Sequence, residues 1–399
     1  MVDYKNPLNI VFLPDGLYPN KRALVSEVWL KRLVSRGHKV HTFLPSFNKS
    51  KSKVVNIIKL PSFRRSVFSI VFRILYPIKL FLTLRIFLKK NPNIEIIQVR
   101  NSIINSIIGI YFSRRYNIPF SFLFSSLHGY CDKEISHLEK GKVWSYVNEP
   151  LRYMSCKFYD YILLRSSLIQ PISVSMKNLI QFKNERANYF PMPLSHSSDF
   201  TLKSNYSRNK EKLEIVYLGS LNNSRNPLFI VEFAKELLQL SSNFHLTIIG
   251  KSNDATQYRI FCQKILVGSL KNHITILESL DYSSLPHFLQ NFDVGISPIP
   301  PLKKYIPSTP TKVMEYMATG LFVISNSEII DQRDIYIKSK SGFCINYSPK
   351  DFAKAANFLI KRRYLIRYNA SKAKTWVVSN RSYNDLVENL EKEYYKIKT

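Results

Sequence analysis

The sequence predicts an α/β protein of two doubly wound domains with a ligand cleft between them. Three observations lead there. Short apolar runs alternate with longer stretches of helical spacing along nearly all of the 399 residues, the pattern of parallel strands joined by crossover helices. A polar stretch rich in serine, Pro191–Lys212, interrupts that alternation, which then restarts. Such a break reads as an interdomain linker. The length suits two or three domains of roughly 100–200 residues each, and the 45% hydrophobic content excludes wholesale disorder.

Element by element, Leu8–Leu13 reads as a buried strand, Lys21–Arg36 as a helix ended by Gly37, and Lys39–Leu44 as a second strand. Glu95–Val99 is a further strand, followed by an apolar helix over Ile103–Tyr116. Pro119–Phe124 and Tyr159–Leu164 complete the strands expected before the break. After it come strands at Glu214–Leu218, His245–Gly250, Ile274–Leu277, Asp293–Pro298 and Leu321–Ser325. Helices are expected between them at Pro227–Leu240, Ala255–Leu270, Ser284–Gln290 and Pro310–Ala318, and Lys350–Arg363 and Asn384–Lys396 close the chain as helices. There is no short repeat of the solenoid kind. Open parallel sheets bind ligands beyond the carboxyl ends of their strands, so chemistry is expected in the loops there.

The chain carries 58 Lys+Arg against 28 Asp+Glu, a formal net charge of +30. Residues 1–200 hold +19 of it and residues 201–399 hold +11. Between Glu27 and Glu95 there are 15 bases and no acid. A negative partner is expected, whether nucleic acid, anionic membrane or phosphorylated ligand. Within that segment Ser66–Leu88 is long enough for a bilayer span of about 20 residues. Arg73, Lys79 and Arg85 count against one, at about 2.5–3.5 kcal/mol each near a bilayer centre, and Pro77 adds a kink. Two readings stay open: a buried helix pair with snorkelling bases, or a helix lying in the interface of an anionic membrane. Met1–Pro7 is polar and Leu8–Leu13 is too short for a leader, so a cytoplasmic chain is expected. Cys131, Cys156, Cys262 and Cys344 are scattered without a CxxC pair and read as reduced core residues, with no disulfide frame and no metal site.

Two stretches could carry chemistry. In Ile306–Ile324 (IPSTPTKVMEYMATGLFVI), Ser308 or Thr309 is a suitable N-cap and Pro310 suits the first helical turn. The amides of that helix start form an anion site, with the Lys312 charge beside it. Glu315 lies one turn deeper, beyond the part of the helix dipole that favours an acid. A carboxylate there suits a vicinal diol such as a ribose, through two hydrogen bonds. The plainer alternative is a capped helix with a solvent-facing Glu. In Leu218–Pro227 (LGSLNNSRNP), Gly219 ends a buried strand and Arg225 precedes a helix opened by Pro227. Arg225 is either a bidentate phosphate clamp or an ordinary surface arginine.

These residues carry a resemblance. Pro310-Thr311-Lys312, then Glu315-Tyr316-Met317-Ala318-Thr319-Gly320 and the strand through Val323-Ile324, resemble the donor motif of the retaining glycosyltransferases of family 4 (group 1), of GT-B fold with two Rossmann-like domains. Gly219-Ser220-Leu221 followed by Arg225 is similar to a loop of one branch, and Lys374-Thr375-Trp376 to the terminal segment that crosses back to the first domain. Before residue 190 the likeness is looser: the first strand, Arg36-Gly37-His38-Lys39-Val40, and Asp160 ahead of Tyr161–Leu164.

The resemblance implies a nucleotide diphospho-sugar as donor. Glu315 would bind the ribose hydroxyls, Arg225 and Lys312 would neutralise the diphosphate leaving group, and Gly219, Ser220, Ser308, Thr309 and Thr311 would complete the donor site without a metal or cofactor. His128, in Ser125-Ser126-Leu127-His128-Gly129, either faces the donor sugar or is structural. Two departures stand out. Pro307 occupies the place of a glutamate that often contacts the sugar, which leaves that contact to backbone around Ser308 and Thr309. Asp15-Gly16 and Pro19-Asn20-Lys21-Arg22 replace a Gly-Gly turn. The implied domains are an acceptor-side domain at 1–195, a linker at 196–212, a nucleotide-sugar domain at 213–375, and a C-terminal helix, 376–399, crossing back to the first. The implied function is transfer, with retained configuration, to a saccharide or polyprenyl-linked acceptor in bacterial surface polysaccharide synthesis. The enzyme would sit peripherally on the inner face of an anionic membrane. A nucleic-acid-binding protein and a non-catalytic GT-B scaffold are the rivals. No nucleic-acid motif accompanies the charge, so no specific nucleic acid is expected.

Overall fold

The structure, a computed structural model, describes residues 6–18, 20, 22–46, 55–59, 65–127, 130, 132–140, 146, 148–201, 211–266 and 268–398. The chain forms two compact units. One comprises Met1–Tyr130, Pro150–Pro193 and Tyr383–Thr399, the other Cys131–Glu149 and Leu194–Ser382.

In chain order the first half contains β1 (Asn9–Leu13), α1 (Val25–Arg32, π-wound and continued by Leu33–Ser35), β2 (Lys39–Ser46), β3 (Val55–Lys59), α2 (Arg65–Lys90), β4 (Ile96–Arg100) and α3 (Ile103–Tyr116). It continues through β5 (Phe120–Phe124), α4 (Asp132–Lys140), α5 (Glu149–Leu164), β6 (Leu168–Pro171), α6 (Val174–Ile180) and β7 (Asn188–Tyr189). Among the described residues the first unit has a seven-stranded sheet in the order β3-β2-β1-β4-β5-β6-β7, and every pairing is parallel. β4 and β5 are buried along their whole length, as strands covered on both faces must be.

The second half contains β8 (Leu213–Leu218), α7 (Leu228–Leu240), β9 (Phe244–Ile249), α8 (Ala255–Leu266), β10 (Ile274–Leu277), α9 (Leu285–Leu289), β11 (Val294–Ser297) and α10 (Thr311–Thr319). Then come β12 (Phe322–Asn326), α11 (Ile330–Ser339), β13 (Phe343–Ile345), α12 (Pro349–Lys361), α13 (Tyr364–Asn380) and α14 (Tyr383–Lys398). Its sheet runs β10-β9-β8-β11-β12-β13, again parallel throughout. Both sheets are wound outward from their first strand in two directions, so each unit is Rossmann-like and doubly wound.

α14 belongs to the first unit. The Tyr394 hydroxyl accepts the Trp29 indole N–H at 3.0 Å and donates to Gln98 at 2.8 Å, all three buried. The Glu391 carboxylate takes Arg36 at 2.6 Å and meets His38 Nε2 at 2.9 Å. The other ring nitrogen of His38 accepts the Leu8 amide at 3.0 Å, so Nε2 carries the proton and donates to Glu391.

Several sequence expectations need correction. Tyr159–Leu164 is the end of a helix, α5, with Tyr159, Ile162 and Leu163 buried at helical spacing. The strand follows at Leu168–Pro171, only four residues long and carrying Gln170, which hides its period. Ser66–Leu88 is one helix rather than a pair, continuous across Pro77. α8 stops at Leu266, short of the expected Leu270, and the chain passes Gly268 at a φ of +83°. The start of the expected 196–212 linker is packed into the second unit: Phe200 is fully buried in its core, and His196 bridges to Ser382. Residues 202–210 lie outside the described residues. The C-terminal crossing begins at Tyr383, after α13, rather than at 376, and Trp376 packs against the core of the second unit. Cys131–Glu149, read with the first domain, clusters with the second unit. Cys156, Cys262 and Cys344 are free thiols, and Cys131 lies outside the described residues.

Candidate functional site

In the second sheet the strand order reverses between β8 and β11: β9 and β10 lie to one side of β8, β12 and β13 beyond β11. Loops leaving the carboxyl ends on either side of such a point diverge and leave a crevice. The two loops here are residues 219–227 after β8 and residues 298–310 before α10. They hold all but one of the site residues anticipated from the sequence, or lead directly into them.

α10 begins without a side-chain cap. Pro310, rather than Ser308 or Thr309, occupies the N-cap with extended ψ, and proline has no side chain able to accept from the first turn. The Ser308 hydroxyl instead donates to the Tyr305 carbonyl at 2.6 Å, and Thr309 is buried. Helix amides left without a side-chain acceptor carry partial positive charge and suit an anion. Thr311 and Lys312 lie in that first turn, half-buried.

Glu315 is 1% exposed. One carboxylate oxygen accepts Lys312 Nζ at 3.0 Å, while Oε1 is buried without a hydrogen-bond partner. The solvent-facing alternative is thereby removed. A buried carboxylate oxygen left unpaired costs about 1–3 kcal/mol or more, and such atoms call for an explanation. A ligand hydroxyl would supply the missing donor.

Packing holds the helix against the sheet. Tyr316 is fully buried, and its hydroxyl accepts the Leu218 amide at 2.8 Å, tying α10 to the end of β8. Its ring lies against Gly295 on β11, where a Cβ would stand 2.4 Å from the ring. Gly320 ends α10 in the left-handed region at φ +83°, which glycine adopts without strain. On the β8 side the two strand ends nearly touch: a Cβ on Gly250 would lie 1.8 Å from the Gly219 carbonyl oxygen. Gly219 is half-buried and Ser220 exposed.

Arg225 closes a short 3-10 turn, and Asn226 turns the chain left-handed at φ +48° into α7. The guanidinium lies 3.9 Å from the centre of the Tyr305 ring, a cation–π stack. The Tyr305 hydroxyl in turn donates to Ser224 at 3.2 Å. Tyr305 also accepts Ser308, so one tyrosine links the arginine loop to the start of α10. Burial pushes the Tyr217 hydroxyl pKa up, and nearby Arg225 pulls it down. α4 braces the same loops: Glu139 accepts the Ser224 amide at 2.9 Å and Glu134 the Lys303 amide at 3.0 Å.

The structure thus brings Gly219, Ser220, Arg225, Ser308, Thr309, Thr311, Lys312 and Glu315 to one end of one sheet. His128 lies outside the described residues. Sequence reasoning missed Tyr305, Gly295 and Gly250, whose roles depend on neighbours far away in the chain. It also missed a cluster at the reversal point of the first sheet, between β1 and β4. There Asp15 pairs with Arg100 and, at 2.6 Å, with Arg22. Arg100 and Asn101 both donate to Ser125 Oγ. Arg100 is buried with its Nε unpartnered, and burial lowers its pKa against the opposing pull of Asp15. The visible signal was a charged residue, Arg100, ending a strand of which all but Gln98 is otherwise apolar. Among the described residues no three His, Cys, Asp or Glu side chains gather as metal ligands.

Residues 212–362 match the family described as Glycosyl transferases group 1. No curated protein matches the chain. Solved structures share the fold at low identity. Sucrose-phosphate synthase from Thermosynechococcus elongatus is 12% identical with a TM-score of 0.75, covering 98% of each chain. Anabaena HepE in complex with UDP is 13% identical with a TM-score of 0.70, over 96% of this chain and 99% of that one. WaaG, a glycosyltransferase involved in lipopolysaccharide biosynthesis, is 13% identical with a TM-score of 0.65, over 96% of this chain and 98% of that one.

Proposed function

We propose that this group 1 glycosyltransferase, of GT-B fold and with the family's domain at residues 212–362, moves a hexose-type unit from a nucleoside diphospho-sugar to a lipid-linked saccharide, retaining anomeric configuration. The observation that carries the donor half is the buried Glu315 carboxylate, one oxygen on Lys312 and the other unpaired, one turn inside a helix whose start has no side-chain cap. A ribose diol offers two hydroxyl donors to such a carboxylate, and the diphosphate attached to it then lies toward the helix amides. Lys312 and Arg225 meet the charge that builds on the diphosphate as the sugar leaves, the point in the reaction where fixed cations act most strongly. Tyr305 holds the Arg225 guanidinium 3.9 Å from its ring centre, so less freedom is lost when it meets phosphate.

HepE's binding of UDP and UDP-glucose supports a uridine donor as the first to try. WaaG's part in lipopolysaccharide biosynthesis supports a surface-polysaccharide acceptor. The Arg22–Asp15–Arg100 cluster gives the first unit cations at its own strand ends, suited to an anionic acceptor group. The basic first unit favours a place against an anionic membrane on its cytoplasmic side. Calorimetric titration with UDP and GDP, followed by turnover with a panel of nucleotide sugars, tests the reading. Binding of one diphosphate that disappears in Glu315→Ala and Arg225→Ala is expected; no heat with either nucleotide would remove it.

A further inference from the structure

We infer that the outer surface of α2 and α3 in the first unit is a docking face for an anionic lipid bilayer, with an apolar ridge that enters the interface and bases that meet the headgroups. The inference rests on the membrane-side location proposed above and names the surface responsible.

α2 and α3 cover one face of the first sheet. Phe87 of α2 packs on His41 and Phe43 of β2, and Gly109 of α3 sits against Ile97 and Val99 of β4 and Phe120 of β5. Strand register puts these residues in shared rows. The two helices touch through Phe81 with Tyr111 and Phe112, and through the Tyr76 hydroxyl donating to Asn105. Their inward sides are therefore satisfied: Leu80, Leu84 and Leu88 are buried.

The outward side should then be polar, and it is not. Ile78, Leu82 and Ile86 are 53%, 49% and 57% exposed, four residues apart along one line of α2. On α3, Ile107 and Tyr111 continue the patch at the same spacing, 41% and 50% exposed. Single exposed apolar residues are unremarkable, but an aligned set over two neighbouring helices marks an interaction surface. Exposed Lys79, Arg85, Lys89, Arg114 and Arg115 surround it, and neither helix contains an Asp or Glu.

That charge pattern selects the occupant. In a twofold contact with a second copy, the same bases would face each other with no acid to pair them. Nucleic acid would answer the bases but leave the ridge in water. An anionic bilayer answers both, taking the ridge into the headgroup boundary and the bases among lipid phosphates. Among the described residues no helix is long and apolar enough to cross a membrane, so the contact is one of lying on the surface.

The test is flotation of the full chain on phosphatidylcholine vesicles, with and without phosphatidylglycerol. Recovery is expected only with the anionic lipid. Ile78→Ser/Leu82→Ser/Ile86→Ser should abolish it, and Arg85→Gln/Arg114→Gln should lower the partition coefficient about 25-fold, about fivefold for each base. All five side chains are exposed, so circular dichroism and UDP titration should match the parent. Those controls separate this inference from the donor reading, which fails on UDP binding and not on flotation. Equal flotation of the parent on both vesicles, or of the triple serine variant and the parent, would overturn the docking face. So would a dimer in light scattering that Leu82→Arg converts to monomer, since a second copy would then be the occupant.

Discussion

Glu315 carries the proposed donor reading at the scale of a single residue. Its carboxylate is kept from water with one oxygen on Lys312 and the other unpaired, so part of the cost of its burial is left uncompensated. Glu315→Gln is therefore expected to leave the melting temperature unchanged or higher, while nucleotide diphosphate affinity falls roughly 10- to 100-fold, as for loss of charge-assisted hydrogen bonds. Titration calorimetry beside thermal melts checks both. A melting temperature that falls together with affinity would identify Glu315 as structural. Arg225 differs in kind, because its guanidinium is half-exposed and held by a ring. Arg225→Lys keeps the charge but loses the planar stack and the two-pronged contact. About tenfold weaker diphosphate binding with unchanged stability is expected from such a loss of geometry.

At the scale of elements, the placement of α10 decides the site. Its N terminus can face a diphosphate only if Tyr316 seats beneath it, and Tyr316 seats only because β11 offers Gly295. Gly295→Ala would put a methyl group into the ring. Overpacking of this kind costs about 1–3 kcal/mol. The urea midpoint should drop accordingly, and UDP affinity with it, because the shifted helix carries Lys312 and Glu315. A variant with normal affinity would show that α10 is held by other contacts. Gly250 has the same part on the other side, where a side chain would collide with backbone and not with a movable ring.

At the scale of the whole molecule, the last helix completes the first fold. α14 supplies Tyr394 to Trp29 and Gln98, and Glu391 to Arg36 and His38. A chain ending at Ser382 would leave Trp29, a buried tryptophan, without its partner or its cover. Calorimetry of that truncation should show the transition of the first unit lost or sharply lowered, and that of the second retained. Tyr394→Phe isolates the hydrogen bonds. It leaves two buried polar groups without a partner and should cost about 1–3 kcal/mol. The net charge acts at this scale too: polyanion binding should weaken steeply with salt whatever the sequence of the polyanion.

The sequence by itself determined the alternation of strand and helix, the doubly wound class, and the two stretches, around Gly219–Arg225 and Ser308–Glu315, that meet at one end of the second sheet. These features are local. A buried parallel strand is an apolar run, and the candidate site's residues lie on one helix and the loops beside it. Short strands with polar residues escaped it, as at Leu168–Pro171, because four residues carry too little period to separate them from the helix before. Only the tertiary structure decided what depends on neighbours distant in the chain. It removed the side-chain cap from α10, buried Glu315 with an unpaired oxygen, stacked Arg225 on Tyr305, and gathered Asp15, Arg22 and Arg100 at a second reversal point. It also set one line of α2, inside the acid-free stretch after Glu27, toward solvent. Whether Ile78, Leu82 and Ile86 face protein or solvent is set by which side of α2 the sheet has already covered, and no local pattern records that.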